Sequence, residues 1–162
     1  MCSSDLLLSA EDRNIDPTFQ LLPPDAVPEV TADGVLVRVV AGEYAGKASP
    51  IDLRNPTQYL DVHVDPGHSV SVPVPAGYQG LAYVISGTGR IGAPHHYPDA
   101  GQAGTGGGEA HTHPGEGVEV GAHQRLILGA GDCLNATAPA QSHEPLRFLV
   151  IAGRPVVGEP QA

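Results

Sequence analysis

A chain of 162 residues fits one domain, and at that length a substantial apolar core can form. Acidic residues outnumber basic ones 18 to 8, giving a net charge of −10 with no local Lys/Arg cluster to offset it, so direct nucleic-acid binding is disfavoured. With no Trp, 4% aromatic residues, 21 Gly and 16 Pro, the core must come from Val, Leu, Ile and Ala in short elements broken by turns.

The first 33 residues read as a lead-in. "MCSSDLLLSA" has no basic segment and only three consecutive leucines, so it makes a poor signal peptide. No apolar run in the chain approaches the ~18 residues of a membrane span. Cys2 and Cys133 sit at unrelated places and indicate no disulfide framework, which points to a reducing, intracellular setting, cytoplasmic or nuclear. A first-turn helix around "DPTFQ" is the only helical signal. "LLPPDAVPEVTADG" then ends in the turn pair Asp-Gly.

From residue 34 the pattern changes to strands. The runs expected are 35–40, 49–54, 58–64, 69–74, 81–86, 125–129 and 147–153, most of them rich in Val and Ile and bounded by Gly, Pro, Asp or Asn. Within 58–64, Leu60, Val62 and Val64 alternate with Tyr59, Asp61 and His63, giving one apolar and one mostly polar face. Strands so closely spaced predict an all-β sandwich or barrel. Between them, residues 93–123 hold eight glycines and three prolines, and before Val118 the only sizeable apolar side chain is Tyr97. That composition predicts a long Gly-rich insertion in a loop.

Four of the eight histidines, His95, His96, His111 and His113, fall in this insertion, with His123 at its far edge. His111 and His113, one residue apart and flanked by Glu109 and Glu116, have the look of metal ligands. A Gly-rich loop supplies neither rigid support nor an ordered surrounding shell, so a solvated His-rich loop with weak metal affinity is the preferred reading. Asp61, Asp65 and Asp132 read as strand-end and turn residues, and Cys133 as a small apolar filler without a basic neighbour.

A second frame is more informative. Metal-binding cupins carry G-x5-H-x-H-x3,4-E-x6-G, whose His and Glu side chains converge on one metal inside a barrel. Starting at Gly67, the two His positions are Pro73 and Pro75, the Glu position is Gln79 or Gly80, and the closing glycine is Gly87. The His of the second cupin motif falls near Ser142, with His143 one residue off and so expected on the opposite face. Spacing is kept while every ligand is replaced, and proline offers no side-chain donor or acceptor at all.

The blocks "GVLVRVVAGEYAGKASPIDLRNPTQYLDVHVDPG" (34–67), "PVPAGYQGLAYVISGTGRIG" (73–92), "LGAGDCLNA" (128–136) and "RFLVIAGRPVVGEP" (147–160) give the chain its identity. Together they resemble the pirin family, specifically its C-terminal cupin half. The resemblance implies a cupin-type double-stranded β-helix, or jelly roll, spanning 34–162. Residues 1–33 would be a remnant of the linker between two barrels, and 93–123 an insertion. Pirins are described as bicupins whose N-terminal barrel holds iron through three histidines and a glutamate. No counterpart of those ligands exists here, so no cofactor is expected in this chain and iron only in the missing N-terminal half. The implied role is structural or protein-interacting, with a protein partner or homodimer and transcriptional regulation as the family context. The alternative is part of a quercetinase-like, metal-dependent dioxygenase. No small-molecule ligand is indicated.

Overall fold

Wherever Val, Leu and Ile alternate with polar residues the chain forms strands, because successive side chains of a strand point to opposite faces. The computed structural model describes residues 14, 16, 19–51, 53–92, 117–129 and 131–155. After a 3-10 turn at Pro24–Ala26 come β1 (Glu29–Ala32), β2 (Val35–Ala41), β3 (Glu43–Tyr44) and β4 (Lys47–Ala48). Next are β5 (Thr57–Val64), β6 (Ser69–Pro73), β7 (Gln79–Ser86) and β8 (Thr88–Gly92). The series closes with β9 (Val118–Gly121), β10 (Arg125–Leu128), β11 (Cys133–Thr137) and β12 (Leu146–Gly153).

Two antiparallel sheets enclose the core. One has six strands in the order β1-β2-β5-β12-β7-β10, the other four in the order β6-β11-β8-β9, and β3 with β4 forms a separate hairpin. From β5 onward the chain passes repeatedly from one sheet to the other, the jelly-roll arrangement of cupins. The expected all-β, cupin-type fold is the fold observed.

Apart from Gln58, the inward positions are apolar: Leu60, Val62 and Val64 on β5, Val70 and Val72 on β6, Ala82 and Val84 on β7, Phe148 and Val150 on β12. Phe148 is the largest fully buried side chain. Its strand pairs with β5 on one side and β7 on the other, so the ring sits at the middle of the larger sheet.

Several boundaries differ from the expectations above. Residues 49–54 do not form a strand; the paired residues are Lys47–Ala48, ahead of Pro50. Proline lacks an amide to give to a ladder, and the Ser49 hydroxyl instead accepts the Ile51 amide at 3.2 Å, a local turn bond. The lead-in ends sooner than residue 33, since β1 pairs with β2 from Glu29 to Ala32. The proposed insertion is also shorter than 93–123: Val118–Gly121 is β9, paired with β8, and Arg125 already belongs to β10. Residues 93–116 lie outside the described residues, as do Pro17 and Thr18 of "DPTFQ", and the described Asp16, Phe19 and Gln20 are not helical. β9 escapes a pattern search because only Val120 of its four residues is buried.

Truncating the aromatic at the middle of the core tests this packing directly. Phe148→Ala should destabilise the chain by about 3–5 kcal/mol and Phe148→Leu by much less, as cavity formation predicts. Urea unfolding with an unchanged m-value is the measurement.

Candidate functional site

Cupin chemistry belongs inside the barrel, so the frame positions come first. Pro73 ends β6 and is exposed, as is Pro75 in the turn that follows, where its carbonyl accepts the Tyr78 amide at 3.0 Å. The adjoining Val72 and Val74 are the buried residues, 0% and 8% exposed. The frame traced from Gly67 therefore runs one residue out of phase with the inward positions, and those positions carry valines. Gln79 opens β7 and is exposed. Gly80 is needed for close backbone approach: a Cβ there would sit 2.1 Å from the Ile151 carbonyl oxygen and 2.6 Å from Ala152 Cα. Its side of β7 leaves no room for a glutamate. Gly67 and Gly87 both have positive φ, 82° and 78°, so turn geometry alone accounts for glycine at these two positions of the frame.

Ser142 lies in the loop between β11 and β12, its amide donating to the Pro139 carbonyl at 3.0 Å. With Thr88, Gln141, His143 and Glu144 it borders an open hollow. His143 and Glu144 are exposed there. His111 and His113, with His95, His96 and Glu116, lie outside the described residues. His123 turns between β9 and β10, its Nδ1 3.5 Å from the Tyr83 hydroxyl. Among the described residues no three His, Cys, Asp or Glu side chains gather as a metal site would require.

One polar side chain does face inward. Gln58 shares the phase of Leu60 and Val62 and is 5% exposed. Its amide nitrogen donates to the carbonyls of Pro73 at 3.0 Å and Glu43 at 3.4 Å, while Oε1 is buried without a partner. The Tyr44 hydroxyl similarly reaches the Ser71 carbonyl at 3.5 Å. Ser71 and Pro73 belong to an edge strand, so two side chains cap carbonyls that would otherwise be open to another chain. Burial raises the Tyr44 pKa, with Cys133 adding to the effect. Extending the 58–64 alternation by its first residue would have found Gln58.

The main electrostatic feature lies on the outward face of the larger sheet. Asp61 sits in the middle of β5, 7% exposed, and is no strand-end residue. Arg147 from β12 grips its carboxylate with both arms, Nε at 3.0 Å and a terminal nitrogen at 2.8 Å. Arg38 from β2 lies 3.8 Å away and is itself bonded to Glu29 at 2.7 Å. His63 Nε2 is 3.3 Å from the same carboxylate without an aligned hydrogen bond. Burial alone would raise the Asp61 pKa, but the Arg147 hydrogen bonds and the neighbouring cations outweigh it and the net shift is downward.

Cys133 is no apolar filler. Its sulfur lies 2.8 Å from the Ser71 hydroxyl and 3.6 Å from Asn135 Oδ1, on the outward face of the smaller sheet. Beside it, the Ser69 and Thr137 hydroxyls are 2.9 Å apart, so this face is a cross-strand ladder of small polar groups. Each such group is occupied by its neighbour.

No protein-family model matches the chain. It is 35% identical to pirin-like protein At1g50590 of Arabidopsis thaliana over 154 residues, which is 94% of this chain and 43% of the relative. To pirin of Homo sapiens it is 32% identical over 151 residues, 92% of this chain and 44% of the relative. The chain thus spans less than half the length of these curated relatives. Among solved structures, quercetin 2,3-dioxygenase from Acinetobacter baumannii superposes with a TM-score of 0.71 at 20% identity, over 96% of this chain and 46% of that one. At that identity the likeness is one of fold.

Asp61 carries a pH signature. Its folded pKa is depressed below the ordinary 3.8, so its contribution is fully present above that value and is lost as pH falls through the folded pKa. Asp61→Asn should cost about 1–2 kcal/mol at pH 7, discounted for the partly exposed Arg147. The gap between wild type and variant should then close in acid. Urea melts of both proteins from pH 7 to pH 2.5 check this; a gap that widens in acid would contradict the assignment.

Proposed function

Starting from a chain that belongs to the pirin family over nearly its whole length, we propose that it is a metal-free cupin unit with a structural or protein-interacting role. The observation that carries this reading is the lining of the barrel. Val72, Val74, Ala82, Val84, Leu134 and Ala136 occupy inward positions and offer no ligand. Gln58, the inward polar group, has its amide nitrogen committed to two carbonyls. A divalent iron needs several nitrogen or oxygen donors converging on one point, and these residues do not fit that requirement. No chemical step is therefore assigned to the interior.

The place of action we propose is intracellular, in cytoplasm or nucleus. Family membership favours it, as does the lack of any disulfide framework. No helix among the described residues is long and apolar enough to cross a membrane. The strongly acidic composition favours action through a protein partner over contact with nucleic acid. A second reading takes its support from the fold shared with a quercetin 2,3-dioxygenase. In that case the iron would be held by another barrel, and this unit would support it.

Elemental analysis tests the metal-free interior that both readings assume, and quercetin oxidation that appears only when an iron-loaded cupin barrel is added would favour the second. Tag-free protein dialysed against a chelator should retain far less than one metal per chain. Stoichiometric iron surviving that treatment would overturn the metal-free reading. Repeating the analysis with His111→Ala and His113→Ala assigns any retained zinc or nickel to those two histidines if it disappears in the variant.

A further inference from the structure

Cross-strand register on the outward face of the six-stranded sheet sets Tyr59 opposite Ile151, Ile151 opposite Leu81, and Leu81 opposite Ile127. One outward position from each of β5, β12, β7 and β10 therefore joins an unbroken apolar row, about 14 Å long at ordinary strand spacing. Ile127 is 73% exposed and Ile151 36%, while Tyr59 and Leu81 are half-buried. In the adjoining row, Asp61 stands opposite Leu149, Leu149 opposite Tyr83, and Tyr83 opposite Arg125. Leu149 and Tyr83 widen the row into a patch.

The same face is close to charge balance. Its outward strand positions carry Arg38, Arg125 and Arg147 against Glu29 and Asp61, whereas the chain as a whole has 18 acids and 8 bases. Two copies meeting on this face would therefore not bring net acidic surfaces together.

We propose that this face is where two copies of the chain associate, apolar row on apolar row. This rests on the reading of the chain as an interaction unit and adds the surface and its occupant. The pattern is self-complementary. A two-fold axis parallel to the strands, between β12 and β7, lays Tyr59 of one copy over Ile127 of the other and Ile151 over Leu81. In the next row the same axis lays Asp61 over Arg125 and Leu149 over Tyr83. Apolar meets apolar, Arg125 of each copy faces the Asp61–Arg147 pair of the other, and one patch serves both copies, as an isologous interface requires. Aligned packing of two sheets about 10 Å apart accommodates these side chains.

Sedimentation velocity of the full, tag-free chain over a range of concentrations tests the proposal. The expected result is a concentration-dependent dimer that tightens with added salt, because salt screens the repulsion between two chains of charge −10. Ile127→Lys and Ile151→Lys should each weaken the dimer by about tenfold or more, as desolvated interface residues do. Val118→Lys, at an exposed apolar position on β9 of the other sheet, should leave it unchanged. Circular dichroism confirms that each variant folds; Ile127, largely exposed on an edge strand, is the safest of them. A strict monomer overturns the proposal. So does a dimer that both row variants leave intact, one that Val118→Lys weakens equally, or association that occurs only with a different protein. Metal analysis of the same samples keeps the readings apart: stoichiometric iron in an intact, row-dependent dimer would overturn the metal-free reading and leave the interface standing.

Discussion

Two sheets close enough to share one layer of inward side chains leave the interior no choice but to be apolar. Alternate residues of β5, β7 and β12 fill it with Val, Leu, Ala and the single ring of Phe148. At Gly80 the backbones of β7 and β12 approach so closely that even a methyl group would collide. Among the described residues, the inward positions of β5, β7 and β12 are given mainly to packing. An unpaired donor in such a core costs more than it returns unless a metal or hydrogen bond compensates it.

Polar chemistry is accordingly displaced to the outer faces, where it is consumed by structure. Arg147 holds Asp61 with two hydrogen bonds, and Gln58 and Tyr44 cap the exposed edge of β6. Serine, threonine and cysteine side chains pair across the smaller sheet. Beside these pairings, an apolar row runs across the larger sheet from Tyr59 to Ile127.

This view fits a chain that matches pirins along nearly all of its own length and along less than half of theirs. Cupin units support very different activities on one scaffold, so the fold alone assigns none of them. The particular residues narrow the choice: valines beside the frame positions face the barrel, and a charge-balanced apolar face stands on a strongly acidic chain.

Much of this was legible beforehand. The all-β fold and most of the principal strands follow from a period of two and from fixed turn glycines, both local properties of a chain, whereas the ligand frame lies one residue out of phase with the inward positions. The phase of 58–64 correctly separated Leu60 and Val62 from Asp61 and His63. Pairing was a different matter. β1, β9 and β11 have too few apolar residues to announce themselves, and exist because neighbouring strands offer open ladder groups. Asp61 looked like an ordinary boundary residue until β12 brought Arg147, 86 positions away, against it. Tyr59, Ile151, Leu81 and Ile127 are scattered along the sequence and become one surface only through register. Local periodicity tells each side chain which face it takes; the order and register of strands, a non-local outcome of closing the barrel, decide which side chains share that face.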